Sequence, residues 1–189
     1  TLGRDFEPNP GFHEGNSWNY SFYIPHDIRG LAKLMGGERQ FVHKLKSVFD
    51  KGNYDPANEP DIAYPYLFTY FPQEAWRTQR TTRELLSKHY LNAPSGIPGN
   101  YDIFEMSAWA IFTMLGFYPD CPGSTSYALT TPIFDKVTLH LDTKYYKQPS
   151  LVIETRPAVT SQGEKGAYFD EIKVGNKLYK STYRLNHEE

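Results

Sequence analysis

His13-Glu14-Gly15-Asn16-Ser17-Trp18 sets an acidic residue in a Gly-Asn turn at the start of an aromatic run. The same design recurs downstream, where Gly99-Asn100-Tyr101-Asp102 leads to Met106-Ser107-Ala108-Trp109. A turn at the entrance to a helix holds a side chain at the mouth of a rigid scaffold. Two carboxylates that face a common cleft, as Glu14 and Asp102 could, are the minimum that general acid and general base chemistry on a glycosidic bond requires, but two acids alone do not establish it.

The composition is that of a folded globular domain of 189 residues, of which 39% are hydrophobic. Its 20 basic and 22 acidic residues give a net charge of -2, so the chain has no excess of cations with which to neutralise nucleic-acid phosphates. No apolar run approaches the ~20 residues needed to span a bilayer. The single Cys121 excludes an internal disulfide and a zinc cluster of cysteines. We expect neither a nucleic-acid partner nor a membrane.

Apolar spacing predicts helices over the first two thirds of the chain. Asp27 is expected to cap one helix, which has Ile28, Leu31, Leu34 and Met35 on one face, and Gly36-Gly37 to end it. Trp76 is expected to point inward, and Asp102 suits a helix cap. The predicted helices cover residues 18–24, 28–35, 38–50, 60–71, 73–90 and 103–115.

Beyond Pro122 the apolar period changes from helical to alternating, which predicts strands near residues 127–129, 137–141, 151–154, 169–174 and 177–185. Gly175-Asn176 is a two-residue hairpin signal. We predict a mainly α protein with carboxy-terminal β structure. Its expected parts are a helical-hairpin region, 1–122, and an antiparallel β segment, 123–189, that packs on it.

Three further motifs follow in a fixed order: Pro25-His26-Asp27, Asn58-Glu59-Pro60-Asp61-Ile62-Ala63-Tyr64 and Gly116-Phe117-Tyr118-Pro119-Asp120-Cys121-Pro122-Gly123. With the two stretches above, they resemble glycoside hydrolase family 92, the calcium-dependent exo-acting α-mannosidases. The resemblance runs from Gly11 to Leu141 and is weaker beyond. It implies part of an (α/α)6 barrel followed by closing antiparallel strands.

The number of helices is about half of what such a barrel needs. The resemblance therefore implies a partner: the amino-terminal part of the same enzyme, with a β-sandwich and the first half of the barrel. It also implies a secreted, extracellular or periplasmic protein. The expected substrate is terminal α-linked mannose, with an α-1,2 linkage, on N-glycans or mannan.

The resemblance also implies roles for particular residues. Glu14 corresponds to the general acid and Asp102 to the general base of an inverting reaction. The segment of Asn58 and Glu59 corresponds to the one that binds Ca²⁺ and the terminal mannose. The expected substrate-binding residues are Asn16, Trp18, His26 and Asn100.

Other interpretations of these residues stay open. From the residues alone, Glu14 suits a helix cap and Glu59 a solvated loop acid. Tyr101 and Phe104 depart from the family pattern, and Phe104 replaces a glycine, so we expect its ring to narrow the cleft or to shift the backbone that aims Asp102. The alternatives are a non-catalytic carbohydrate-binding or structural fragment and an interaction module without a glycan.

Overall fold

The computed structural model describes residues 11–13, 15–156, 168–169 and 171–187. Its helical elements are α1 (Ser17–Tyr20), α2 (Ile28–Leu34), α3 (Glu38–Asp50), two 3₁₀ helices (Glu59–Asp61 and Tyr64–Tyr70), α4 (Trp76–His89) and α5 (Glu105–Leu115). Its strands are β1 (Phe117–Tyr118), β2 (Ser126–Leu129), β3 (Lys136–His140), β4 (Ser150–Glu154), β5 (Glu171–Val174), β6 (Lys177–Lys180) and β7 (Arg184–Asn186).

The helical hairpin of α2 and α3 follows its sequence signals closely. The Asp27 carboxylate accepts a hydrogen bond of 2.8 Å from the Gly30 amide and so caps α2. Gly36 and Gly37 have φ of 97° and 103°, which turns the chain into α3. The predicted bounds of α3 are confirmed. Leu34, which was expected on the same face as Ile28, does not join the core, because α2 ends there and leaves its side chain 86% exposed.

Residues 60–71 do not form the single α-helix that the pattern predicted; they form two 3₁₀ helices. Pro60 and Pro65 each remove a backbone donor near the start of one of these helices. Every side chain of the second helix except that of Tyr70 is buried. The buried members are Tyr64, Pro65, Tyr66, Leu67, Phe68 and Thr69.

Helices α4 and α5 pack on this aromatic segment. Met106, Trp109, Ala110 and Thr113 recur at helical spacing and are all buried. Trp76 was predicted to point inward and is 38% exposed, since it occupies the first position of α4. Its ring is covered on one side by a guanidinium group 4.3 Å from the ring centroid.

The strands form antiparallel pairs. The main sheet has the order β1-β2-β7, and β1 was not predicted because it is only two residues long. The pairs β3-β4 and β5-β6 are separate hairpins, and the register Val174↔Lys177 confirms the turn at Gly175-Asn176.

Buried polar contacts join the strands to the helices. Arg184 of β7 binds Asp120 through both carboxylate oxygens, at 2.8 and 3.0 Å. The same guanidinium lies 4.1 Å from the ring centroid of Tyr70. In the described part of the chain, no helix is long and apolar enough to cross a bilayer.

Candidate active site

The first site segment, residues 15–19, is held by reciprocal capping. The Asn16 side chain accepts a hydrogen bond of 2.8 Å from the Trp18 amide, and the Asn19 side chain accepts one of 2.9 Å from the Asn16 amide. Both asparagine side chains are buried. Glu14, the expected general acid, lies outside the described residues.

The second site segment, residues 55–61, is attached to the first through Asp61. This fully buried carboxyl group accepts two hydrogen bonds at Oδ2, both of 3.0 Å, from Asn19 Nδ2 and from the Asp55 amide. Its Oδ1 has no hydrogen-bond partner among the described residues. Burial raises the pKa of Asp61 to about 7, although the two hydrogen bonds act in the opposite direction.

Gly15 lets the first two segments approach closely. A Cβ atom at this position would lie 3.1 Å from both Asn58 Nδ2 and Asn19 Oδ1. Asn58 is itself buried at this contact. The motifs around Asn16 and Glu59, distant in sequence, are therefore packed against each other.

The third site segment, residues 99–104, has an unusual backbone. Tyr101, Asp102, Ile103 and Phe104 have φ of 72°, 27°, 49° and 70° in succession. Such left-handed conformations are disfavoured for residues with a Cβ atom, and most of all for β-branched ones such as Ile103. Helix α5 begins only after this loop, with no side-chain cap, so the predictions of a helix start at residue 103 and of a cap by Asp102 are wrong.

Phe104 keeps the left-handed conformation that a glycine would favour, with φ of 70°. Its ring is 65% exposed and meets the Tyr101 ring edge to face, with centroids 5.2 Å apart. The Tyr101 hydroxyl in turn accepts a hydrogen bond of 3.0 Å from Ser107 Oγ. The two aromatic departures from the family pattern thus form one unit beside Asp102.

The carboxyl groups of Glu59 and Asp102 lie within hydrogen-bonding distance of each other. The pKa of Glu59 is raised, first by burial and then by its hydrogen bond with Asp102. Burial and the charge of Asp102 also raise the pKa of Glu105. Asp102 itself lies at the exposed end of this acidic group.

The second and third segments touch at Gly99. It has φ of 70°, and a Cβ atom there would lie 2.8 Å from the Ala57 Cβ atom. Below this contact, Trp109 Nε1 donates a hydrogen bond of 2.9 Å to the Ile62 carbonyl and fixes α5 to the same segment. All three site segments are therefore joined by described contacts.

The remaining predicted residues have different surroundings. Trp18 is half-buried and packs against the hydrophobic core. Asn100 is exposed in the third segment, and His26 is exposed in the turn between α1 and α2. The hydrogen bonds that join the three segments do not include His26 or Asn100. Their roles toward a substrate stay predictions.

Two residues of this site were not identified from the sequence. Asp61 was assigned only to a helix start, although an acid within a run of apolar and aromatic residues must find hydrogen-bond donors. Glu105 was not singled out within the predicted helix over residues 103–115. The useful signal for both is their position next to Glu59 and Asp102 in the two motifs.

The oxygen donors at Asn58 and Glu59 fit calcium in their chemistry, because Ca²⁺ prefers carboxylate, amide and carbonyl oxygens. Within the described ranges, no three His, Cys, Asp or Glu side chains are grouped as a metal site. A calcium ion here would therefore take part of its coordination from amide oxygens, backbone carbonyls or water, all of which it accepts.

Comparison with known proteins places these segments in context. The sequence model of the glycosyl hydrolase family 92 catalytic domain matches residues 3–189. An uncharacterized secreted glycosidase of Arthroderma benhamiae is 30% identical over 127 residues. These residues are 67% of this chain and 16% of that protein.

Solved structures give the same assignment. A family 92 inverting mannosidase of Bacteroides thetaiotaomicron VPI-5482 superposes with a TM-score of 0.77 at 28% identity, over 94% of this chain and 26% of that one. A family 92 α-mannosidase of Bacteroides thetaiotaomicron gives 0.78 at 29% identity, over 93% and 23%. The chain thus spans about a quarter of the length of these two proteins.

Proposed function

This chain belongs to glycosyl hydrolase family 92, and on that premise we propose that it forms part of an enzyme that hydrolyses terminal α-linked mannose with inversion. The observation that carries the proposal is the meeting of Asp102 with Glu59, brought about by loops about forty residues apart in sequence. A similar structure is described as an inverting mannosidase. The larger enzyme would supply the remainder of an (α/α)6 barrel and an amino-terminal β-sandwich.

The roles proposed for the carboxyl groups follow from the reaction. Asp102, at the exposed end of the acidic group, removes a proton from the attacking water. Glu14 protonates the departing glycosidic oxygen from the other side of the sugar. An inverting reaction needs room for that water, so we expect the two carboxyl groups to lie ~6.5 to 9.5 Å apart.

Glu59 is proposed to orient Asp102 and to bind substrate hydroxyl groups or calcium. Asn58 lies beside it and offers an amide oxygen. When bound, Ca²⁺ would supply positive charge that holds sugar hydroxyls and favours ring distortion. The substrate we propose is α-1,2-linked mannose on N-glycans or mannan. We propose that the reaction takes place outside the cytoplasm.

The test uses the full-length protein and two α-mannosides, one with a poor and one with an activated leaving group. Glu14→Gln should abolish cleavage of the poor leaving group and spare the activated one, which needs little protonation. Asp102→Asn should slow both by roughly 10² to 10⁴. Exposed Asp50 is a matched control, and Asp50→Asn should leave both rates unchanged.

Two results would contradict these roles. Equal loss on both substrates in Glu14→Gln would remove the acid assignment, and wild-type rates in Asp102→Asn would remove the base assignment. Calcium is tested separately. An ion bound only to the folded state stabilises it by about 2.7 kcal/mol at a hundredfold excess over its Kd. If a chelator changes neither melting temperature nor rate, the proposed calcium site is wrong.

A second candidate function is carbohydrate binding without catalysis, and the strained Tyr101-to-Phe104 loop favours it. A loop that is wrongly aimed would leave Asp102 unable to activate water while sugar still binds. In that case the wild-type protein binds mannosides without cleaving them. Phe104→Gly, which restores the family residue, should then recover turnover if the loop is the cause.

A further inference from the structure

Asp61 connects the segment that follows the expected acid to the segment that carries Glu59. Its Oδ2 accepts hydrogen bonds from Asn19 Nδ2 and from the Asp55 amide, each of 3.0 Å. Asn19 in turn accepts a hydrogen bond from the Asn16 amide, three residues away. The chain of contacts therefore runs from the Gly15-Asn16 turn through Asn19 and Asp61 to the loop before Glu59.

The burial of Asp61 makes its two hydrogen bonds necessary, because no water can replace the donors at a buried carboxyl group. The residue is 0% exposed, and a polar group that is buried without its hydrogen-bond partners destabilises the folded state. Both donors would lose their acceptor if Asp61 were removed. Tyr64 adds a neighbouring constraint, since its hydroxyl donates to the Asn19 carbonyl at 2.7 Å and accepts from the Phe22 amide at 2.9 Å.

We propose that Asp61 is a positioning residue of the active site. It holds residues 15–19 against the loop of Glu59, and so it sets the position of the segment that follows the proposed acid relative to the segment that contacts the proposed base. It does not touch the substrate. The proposal rests on the proposed mannoside hydrolysis. An acid loop displaced by about 1 Å can cost roughly 10²-fold in rate.

The experiment compares Asp61→Asn with Asp61→Leu in the full-length protein. Asparagine keeps an oxygen that accepts both hydrogen bonds, whereas leucine has a similar size and accepts none. Asp61→Leu should lower kcat for a mannoside with a poor leaving group by roughly 10- to 100-fold. The loss should be much smaller for an activated leaving group, and Asp61→Asn should retain most of both rates.

Leu45→Ala is the control for instability alone, because Leu45 is fully buried in α3 and outside the site segments. It should reduce the folded fraction and so lower both rates by the same factor, with KM unchanged. An Asp61→Leu variant that behaves like Leu45→Ala would overturn the proposal. So would an Asp61→Asn variant as impaired as Asp61→Leu.

Asn19→Asp is used if Asp61→Leu does not fold. It keeps the acceptor for the Asn16 amide and replaces the donor to Asp61 with a second carboxylate oxygen, so the hydrogen bond is lost and the two carboxylates repel each other. The same leaving-group-dependent loss is expected, and unchanged kinetics would overturn the proposal.

If the wild-type protein cleaves no α-mannoside, the proposed hydrolysis fails by itself. Positioning is then measured by amide hydrogen exchange. Exchange of residues 16–19 should be faster in Asn19→Asp than in wild type and unchanged in Asp61→Asn. Equal exchange in all three proteins would overturn the positioning role.

Discussion

The two segments that bring Glu59 and Asp102 together are built in opposite ways. Residues 55–61 are held by buried hydrogen bonds to Asp61, and their backbone has no non-glycine residue at positive φ. The loop at 101–104 has four such residues in succession and exposes the side chains of Ile103 and Phe104. We call residues 55–61 the fixed wall of the site, because polar contacts hold them. We call residues 99–104 the strained wall, because their backbone conformation is strained.

This difference shows where the site depends on the surrounding fold. Strained conformations cost of order 1 to 3 kcal/mol each and persist only when neighbouring structure enforces them. For the 99–104 loop, that structure is the contact of Gly99 with Ala57 and the attachment of α5 through Trp109. The fixed wall therefore supports the strained one.

The largest expected effect comes from Trp109, which joins the two walls. It is 1% exposed, stacks on Tyr90 with centroids 5.2 Å apart and donates to the Ile62 carbonyl. Trp109→Ala should cost about 3 to 5 kcal/mol of unfolding free energy. Hydrogen exchange should become faster in both α5 and residues 61–70. The control is Ile111→Ala, at an exposed position of the same helix. Faster hydrogen exchange in α5 alone would show that the two walls are independent.

The next effect is a pH dependence of the unfolding free energy that arises from Asp61 in the fixed wall. The pKa of Asp61 is raised to about 7, above the ~3.9 of an unfolded chain. Between pH ~4 and 7, the folded state therefore keeps a proton on Asp61 that the unfolded state loses. This contribution to stability is fully present below pH ~4 and is lost as pH rises through 7, by on the order of 4 kcal/mol.

Urea unfolding of wild type and Asp61→Asn, with a chelator present, checks this prediction. The stability of wild type relative to the variant should fall between pH 4 and 7. A difference that stays constant with pH would show that Asp61 is charged in the folded protein throughout this range.

A smaller effect is expected where the walls touch. Gly99→Ala should destabilise by about 2 to 3 kcal/mol, because its Cβ atom meets Ala57 and its φ is left-handed. Gly123→Ala is the matched control: its φ is also positive, at 80°, and a Cβ atom there has nothing within 4 Å. The difference in unfolding free energy between the variants isolates the clash. Equal values would mean that the walls do not touch at Gly99.

The smallest effect tests the strain itself. Phe104→Gly should stabilise the protein by about 0.5 to 1 kcal/mol, since the left-handed penalty exceeds the entropy cost of a glycine. Phe104→Ala removes the ring but keeps the penalty, so it should bring no such gain in melting temperature. If both variants are equally stable, the ring rather than the backbone decides the behaviour of this loop.

Local sequence signals predicted much of the helical scaffold. Asp27, the Gly36-Gly37 pair and the apolar spacing within α3 act within one or two turns of chain, so neighbouring residues contain the whole signal. The family motifs likewise pointed to Asp102 and Glu59 as members of one site. Leu34 and Trp76, which was predicted to point inward, are both exposed because each lies at a helix end, where neighbouring elements cover less of the helix.

The sequence by itself thus determined the family, the change from helices to strands along the chain, and the motifs that contain Glu59 and Asp102. Only the tertiary structure decided how they meet. The hydrogen bond between Asn19 and Asp61 spans 42 residues, and no local pattern encodes such a partner. The left-handed loop before α5 lies between two tertiary contacts, that of Gly99 with Ala57 and the hydrogen bond from Trp109 to the Ile62 carbonyl, whereas its own residues favour other backbone conformations.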